Sequence, residues 1–134
     1  MFWFQTNCSQ VGQYNTFSTD EEILIGQRYS SQIEKDLSIN QNTEINRYIN
    51  EIGQKLVAVS KRNNIQFTFK VVNDNAVNAF ALPGGFCYVN TGLILFSDNE
   101  SQLSSVISHE IGHVVAAHSA KRMSKSRLIN QVLA

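Results

Sequence analysis

Apolar positions first fall every four residues, at Ile25, Tyr29, Ile33 and Leu37. That spacing predicts a helix to about Leu37. Ser18 with Glu21 and Thr19 with Glu22 form two overlapping capping boxes at its start. Ser38 to Asn42 is a polar turn. Thr43 can cap a second helix running to about Lys61, with Ile45, Tyr48, Ile49, Ile52, Leu56 and Val59 as its apolar stripe. The period then shortens. Gln66 to Val72 alternates in part and is rich in β-formers, which predicts a strand. Asn78 to Leu82 and Phe86 to Asn90 flank Pro83-Gly84-Gly85, so the segment reads as a hairpin with Pro83 and Gly84 at the centre of a type II turn. Thr91 to Phe96 is a short apolar bridge, read as a helical turn.

The helical period returns after Asp98 and Ser101, either of which can cap, and no proline interrupts residues 100 to 124. At about 100° per residue from Leu103, the residues Val106, Ile107, Ile111, Val114 and Val115 form one broad apolar face. His109 and His113 fall at about 240° and about 280°, on the flank of that face, and Glu110 at about 340°, between them and the core. His-Glu-x-x-His on a helix is a zinc-site signature: the imidazoles are one turn apart on one face, and the glutamate can act as general base. In this chain, with three histidines, a chance match is on the order of one in 300. Gly112, at about 180°, costs roughly 1 kcal/mol against alanine and leaves room for backbone or substrate to approach. His118 falls at about 60°, inside the apolar face, and is read as a core or second-layer histidine, not a ligand. It also lies one residue short of the longer pattern with a third histidine.

Composition adds mainly exclusions. The chain has 134 residues, 43% hydrophobic and 16% charged, with 11 basic and 11 acidic side chains. That fits one globular domain with no net field favouring nucleic acid or a membrane surface. Lys121, Arg122, Lys125 and Arg127 make the last segment locally basic, as suits a helix C-terminus. No apolar run is long enough to span a membrane. Cys8 and Cys87 are the two cysteines, with neither disulfide-framework nor zinc-site spacing. Cys87 is expected as a buried free thiol. Residues 1–17 read as an irregular lead-in and 18–134 as the domain. The element order, two helices, a small sheet and the histidine helix, is α+β.

Asn78-Ala79-Phe80-Ala81-Leu82-Pro83-Gly84-Gly85, Tyr88-Val89, Thr91-Gly92-Leu93 and Ser108 to His113 through His118 together resemble the zinc metalloproteases of the HtpX and CAAX-prenyl-protease family, numbered forty-eight among metallopeptidases. The likeness covers about residues 18 to 125 and sits best with the branch that includes periplasmic, lipoprotein-type and mitochondrial Oma-type members. It implies a zincin-like fold and a gluzincin site. One Zn2+ per chain would be held by His109 and His113, with Glu110 as catalytic base. It also implies that Asn78-Ala79-Phe80-Ala81 is an edge strand that takes substrate peptide by β-augmentation. Core packing is the other reading of Phe80 and Leu82. The implied activity is zinc-dependent endopeptidase action on polypeptides, damaged or misfolded envelope proteins among them, in the periplasm or cell envelope. In one respect the sequence departs from the family. The third ligand there is a glutamate on a later helix, in a Glu-x-x-x-Asp pattern, and no Asp or Glu follows Glu110 in this sequence. That leads to the expectation of an N-terminal fragment, with the third ligand beyond Ala134. Acids of the first two helices are a formal substitute. The alternatives are a truncated, non-catalytic peptide-binding relative and a metal-binding scaffold without a peptide role.

Overall fold

The computed structural model describes residues 18–62 and 64–116. His118, Cys8, the lead-in and the basic segment lie outside the described residues. The order is α1 (Thr19–Ile33), α2 (Thr43–Ala58), β1 (Thr68–Val72), β2 (Ala79–Leu82), β3 (Phe86–Asn90), α3 (Thr91–Phe96) and α4 (Glu100–Val115). This is an α+β arrangement, as expected.

The Ser18 capping box forms as anticipated: its side chain accepts from Glu21 N–H and the Glu21 carboxylate reaches back. α1 nevertheless ends at Ile33, four residues before Leu37. At that end the Glu34 carboxylate accepts hydrogen bonds from Ser30 (2.9 Å), Tyr88 (2.6 Å) and Lys70 (2.8 Å). The fully buried line of α1 is Glu22, Gly26 and Ser30; of the predicted stripe, Ile33 packs half-buried on the core, Ile25 is half-buried and Tyr29 is exposed. Gly26 lets the helix settle onto the β2–β3 turn, where a Cβ would meet the Pro83 carbonyl and the Phe86 ring. α2 is capped by Asn42, not Thr43, because the Asn42 side chain accepts from both Glu44 and Ile45 N–H. It stops at Ala58, and Val59 is left exposed.

The sheet order is β1-β3-β2. β2 and β3 form the expected antiparallel hairpin, and Gly84 has φ +84°, as the third position of a type II turn requires. β1 joins β3 in parallel, a pairing the local pattern did not reveal. Successive side chains alternate between two cores. Phe69, Val71, Ala79, Ala81, Cys87 and Val89 pack with α2 and α4. Val72, Phe80, Leu82 and Tyr88 pack with Ile33, Leu37 and Ile39 on the α1 side. The Phe80 and Tyr88 rings stack with centroids 5.0 Å apart. The outer edge of β1 is covered in part by residues 38–40: Ile39 bridges Val72, and Asn40 N–H donates to Val71 C=O at 2.8 Å. β2 has no strand on its outer side among the described residues.

Candidate active site on the histidine helix

α4 is capped by Asn99, whose side chain accepts from Gln102 N–H at 3.0 Å. Asp98 and Ser101 therefore do not cap it. Leu103, Ile107, Ile111 and Val114 are buried, as the stripe predicted, and clamp the helix over β2 and α2. That fixes the azimuth of the rest. His109 is exposed, His113 is 9% exposed and Glu110 is 2% exposed. The two Nε2 atoms lie 3.0 Å apart, with ring planes at 88°.

This pair fits a zinc ion. Two imidazole nitrogens bound tetrahedrally at about 2.0–2.1 Å to one ion lie about 3.3–3.4 Å apart, so a small ring rotation from the observed 3.0 Å would let the pair take it. The His109 ring is exposed and the His113 ring is buried. Among the described residues, no group of three or more His, Cys, Asp or Glu gathers where it could hold a metal. The acids of α1 and α2 thus do not complete the set.

Cys87 is buried and free, as expected. Burial pushes its thiol pKa up, and the nearby Glu110 carboxylate pushes it further, which favours the neutral thiol. A Cβ at Gly112 would have nothing within 4 Å among the described residues.

β2 runs beneath α4. Asn90 N–H donates to Asn78 C=O at 3.1 Å. By the register, Phe80 and Leu82 then exchange bonds with Tyr88 and Phe86, and Ala79 and Ala81 turn their N–H and C=O groups away from β3. The side chains of Ala79, Phe80 and Ala81 are buried, so any service to a peptide falls to their backbone. Asn78 is half-buried.

A model of "Peptidase family M48" matches residues 43–134. The chain belongs to this family. Curated relatives of M48 type include the putative beta-barrel assembly-enhancing protease of Vibrio cholerae, 34% identical over 83% of this chain and 23% of that protein. The beta-barrel assembly-enhancing protease of Escherichia coli K12 is 36% identical over 81% of this chain and 22% of its own length. The mitochondrial metalloendopeptidase OMA1 of Schizosaccharomyces pombe is 31% identical over 64% of this chain and 26% of its own. The chain spans about a quarter of the length of these relatives. Among the described residues, no helix of this M48 chain is long and apolar enough to cross a membrane.

Two features of the site region escaped the sequence reading. Arg62, just after α2, ion-pairs with the buried Glu22 of α1 and donates to Val114 C=O at the end of α4. In the sequence Glu22 stood out only as a member of a capping box, so nothing linked it to Arg62. The second feature is a cavity of about 510 Å³ on the histidine face of α4. Its wall residues come from three separate stretches of chain, so no local pattern marks it.

Proposed function

We propose that this chain carries the zinc-binding and proton-transfer part of a metalloendopeptidase site. The observation that supports it most is the 3.0 Å approach of His109 Nε2 and His113 Nε2 on the open flank of α4, next to Glu110, in a chain of a peptidase family. His109 and His113 would hold the ion. Zinc, when bound, supplies Lewis-acid polarisation of the scissile carbonyl and acidifies water. Glu110 accepts the proton of the attacking water and delivers it to the leaving amine as the C–N bond breaks. The outward backbone groups of Ala79 and Ala81 hold the peptide extended beside the helix, and Gly112 leaves the approach clear. Polypeptide is the substrate class. The names of the bacterial relatives support envelope proteins as substrates and the cell envelope as the place of work.

The test is cleavage of an unfolded protein substrate by the zinc-loaded chain and its Glu110→Gln variant. Loss of cleavage with zinc binding retained is expected in the variant. Undiminished cleavage would refute the role of Glu110.

A second reading, a peptide-holding relative that does not cut, needs only the outward-facing backbone of Ala79 and Ala81 on the open edge of β2. Peptide binding independent of zinc, with no turnover, would distinguish it.

A further inference from the structure

We propose that Thr91, directly after β3, is a positioning residue for the bound peptide: its hydroxyl pins the loop 73–78 and so sets the first outward-facing residue of β2. The proposal rests on the peptide-holding reading above and deepens it.

Thr91 and Gly92 open α3, but they serve the loop before β2. The cap residue of α3, Asn90, makes no side-chain capping hydrogen bond. The Asp74 carbonyl takes that part, because Gly92 N–H donates to it at 2.8 Å. The Thr91 hydroxyl accepts from Asp74 N–H at 3.2 Å and donates to Asp74 C=O at 3.1 Å. One hydroxyl thus satisfies both backbone groups of one residue, as only a group that donates and accepts can. The Asp74 carboxylate accepts from Ala76 N–H at 2.8 Å, and Asn90 Nδ2 donates to Ala76 C=O at 3.4 Å. A Cβ at Gly92 would strike the Asn75 and Ala76 carbonyls, so the close approach of loop and helix start requires glycine there. Asn90, Thr91 and Gly92 together hold the loop down.

What the loop controls is the edge of β2. Asn90 N–H donates to Asn78 C=O at 3.1 Å, a rung of the β2–β3 ladder. Ala79 comes next, with its N–H and C=O turned away from β3. An added strand would bond to Ala79 and to Ala81, two residues further on at about 3.3 Å each. β2 has no strand on its outer side among the described residues, so its start is held from the β3 side and through this loop. Releasing the loop frees Asn78 and Ala79 and removes half of the backbone groups offered to the peptide. The histidines ride on α4, which the core holds through Leu103, Ile107 and Ile111, so the metal end of the site keeps its place.

The test compares the full chain with its Thr91→Val and Thr91→Ser variants. Valine keeps the branched shape and removes the hydroxyl; serine keeps the hydroxyl. Amide hydrogen exchange is read by NMR in the free chain, peptide affinity by fluorescence anisotropy with a labelled, capped peptide of alternating serine and leucine, and zinc affinity by calorimetry. Thr91→Val should speed exchange at Asn90 and Gly92 about tenfold, with Ile107 and Ile111 unchanged. It should weaken the peptide about fivefold, the scale of one lost hydrogen bond, and leave zinc affinity as it was. Thr91→Ser should behave as the unaltered chain. Unchanged exchange in the valine variant, faster exchange with undiminished peptide affinity, or peptide and zinc lost together would overturn the positioning role. So would a serine variant as impaired as the valine one. The exchange readout needs no peptide: an unaltered chain that shows the lock but binds no peptide would sink the peptide-holding reading itself, and the positioning role with it.

Discussion

The Arg62 guanidinium lies 2.8 Å from the buried Glu22 carboxylate. From its other terminal nitrogen Arg62 donates to Val114 C=O at 3.0 Å. Val114 C=O lies in the last turn of α4, where the capping Ala116 N–H also reaches it, and a cation there suits the dipole. One side chain thus ties the first turn of α1 to the end of the helix that carries His109 and His113. Breaking a buried pair from one side strands the other charge. Arg62→Ala should cost about 3 kcal/mol in denaturant unfolding, and Arg62→Lys less. Amide exchange of the last turn of α4 should accelerate in the alanine variant. A stability change below half a kcal/mol would mean that the pair does not anchor the helix.

Gly26 and Gly112 should respond in opposite ways to alanine. At Gly26 the new Cβ would run into the Pro83 carbonyl and the Phe86 ring. The contact is with backbone, so relief requires α1 to move, at a cost of about 1–3 kcal/mol. At Gly112 nothing described stands in the way, and the helix gains up to about 1 kcal/mol. If peptide passes over that position, Gly112→Ala should raise the melting temperature while lowering peptide cleavage. A stabilised variant with full cleavage would show that Gly112 does not face the substrate.

Acid stability should depend on Glu34. Burial alone would push its carboxyl up, but hydrogen bonds from Lys70, Tyr88 and Ser30 outweigh that and hold it below its ordinary value of 4.5. The sign follows from linkage: a carboxyl lowered by folding adds stability that is fully present above its unfolded pKa and is lost as pH falls through the folded one. Tyr88→Phe removes the 2.6 Å hydrogen bond and should shift the acid limb of urea stability to higher pH. Superimposable acid limbs for the two proteins would contradict this.

Where one residue type and one period dominate, the chain was legible. Ser18 and Glu21 formed their box, the Pro83-Gly84 turn folded the hairpin, and Leu103, Ile107, Ile111 and Val114 set which way the histidines face. Boundaries failed where several residues could do the same work. Ser97, Asp98, Asn99 and Ser101 can all cap, and Asn99 does, while Asp98 gives its N–H to Gln102 instead. The inner face of α1 was read only in part, through Ile33, because its fully buried line is a glutamate, a glycine and a serine. Each of these is buried for a long-range reason: Arg62, the Pro83 carbonyl and Tyr88. The parallel pairing of β1 with β3 likewise depends on contacts some twenty residues apart, which periodicity does not encode.

The most direct test is zinc binding by the purified chain, measured as stoichiometry and affinity beside His109→Ala and Glu110→Gln. The account predicts one zinc per chain, lost in His109→Ala and kept in Glu110→Gln. Zinc that stays bound without His109, or a folded chain that takes up none, would contradict the assignment of these histidines to a metal site.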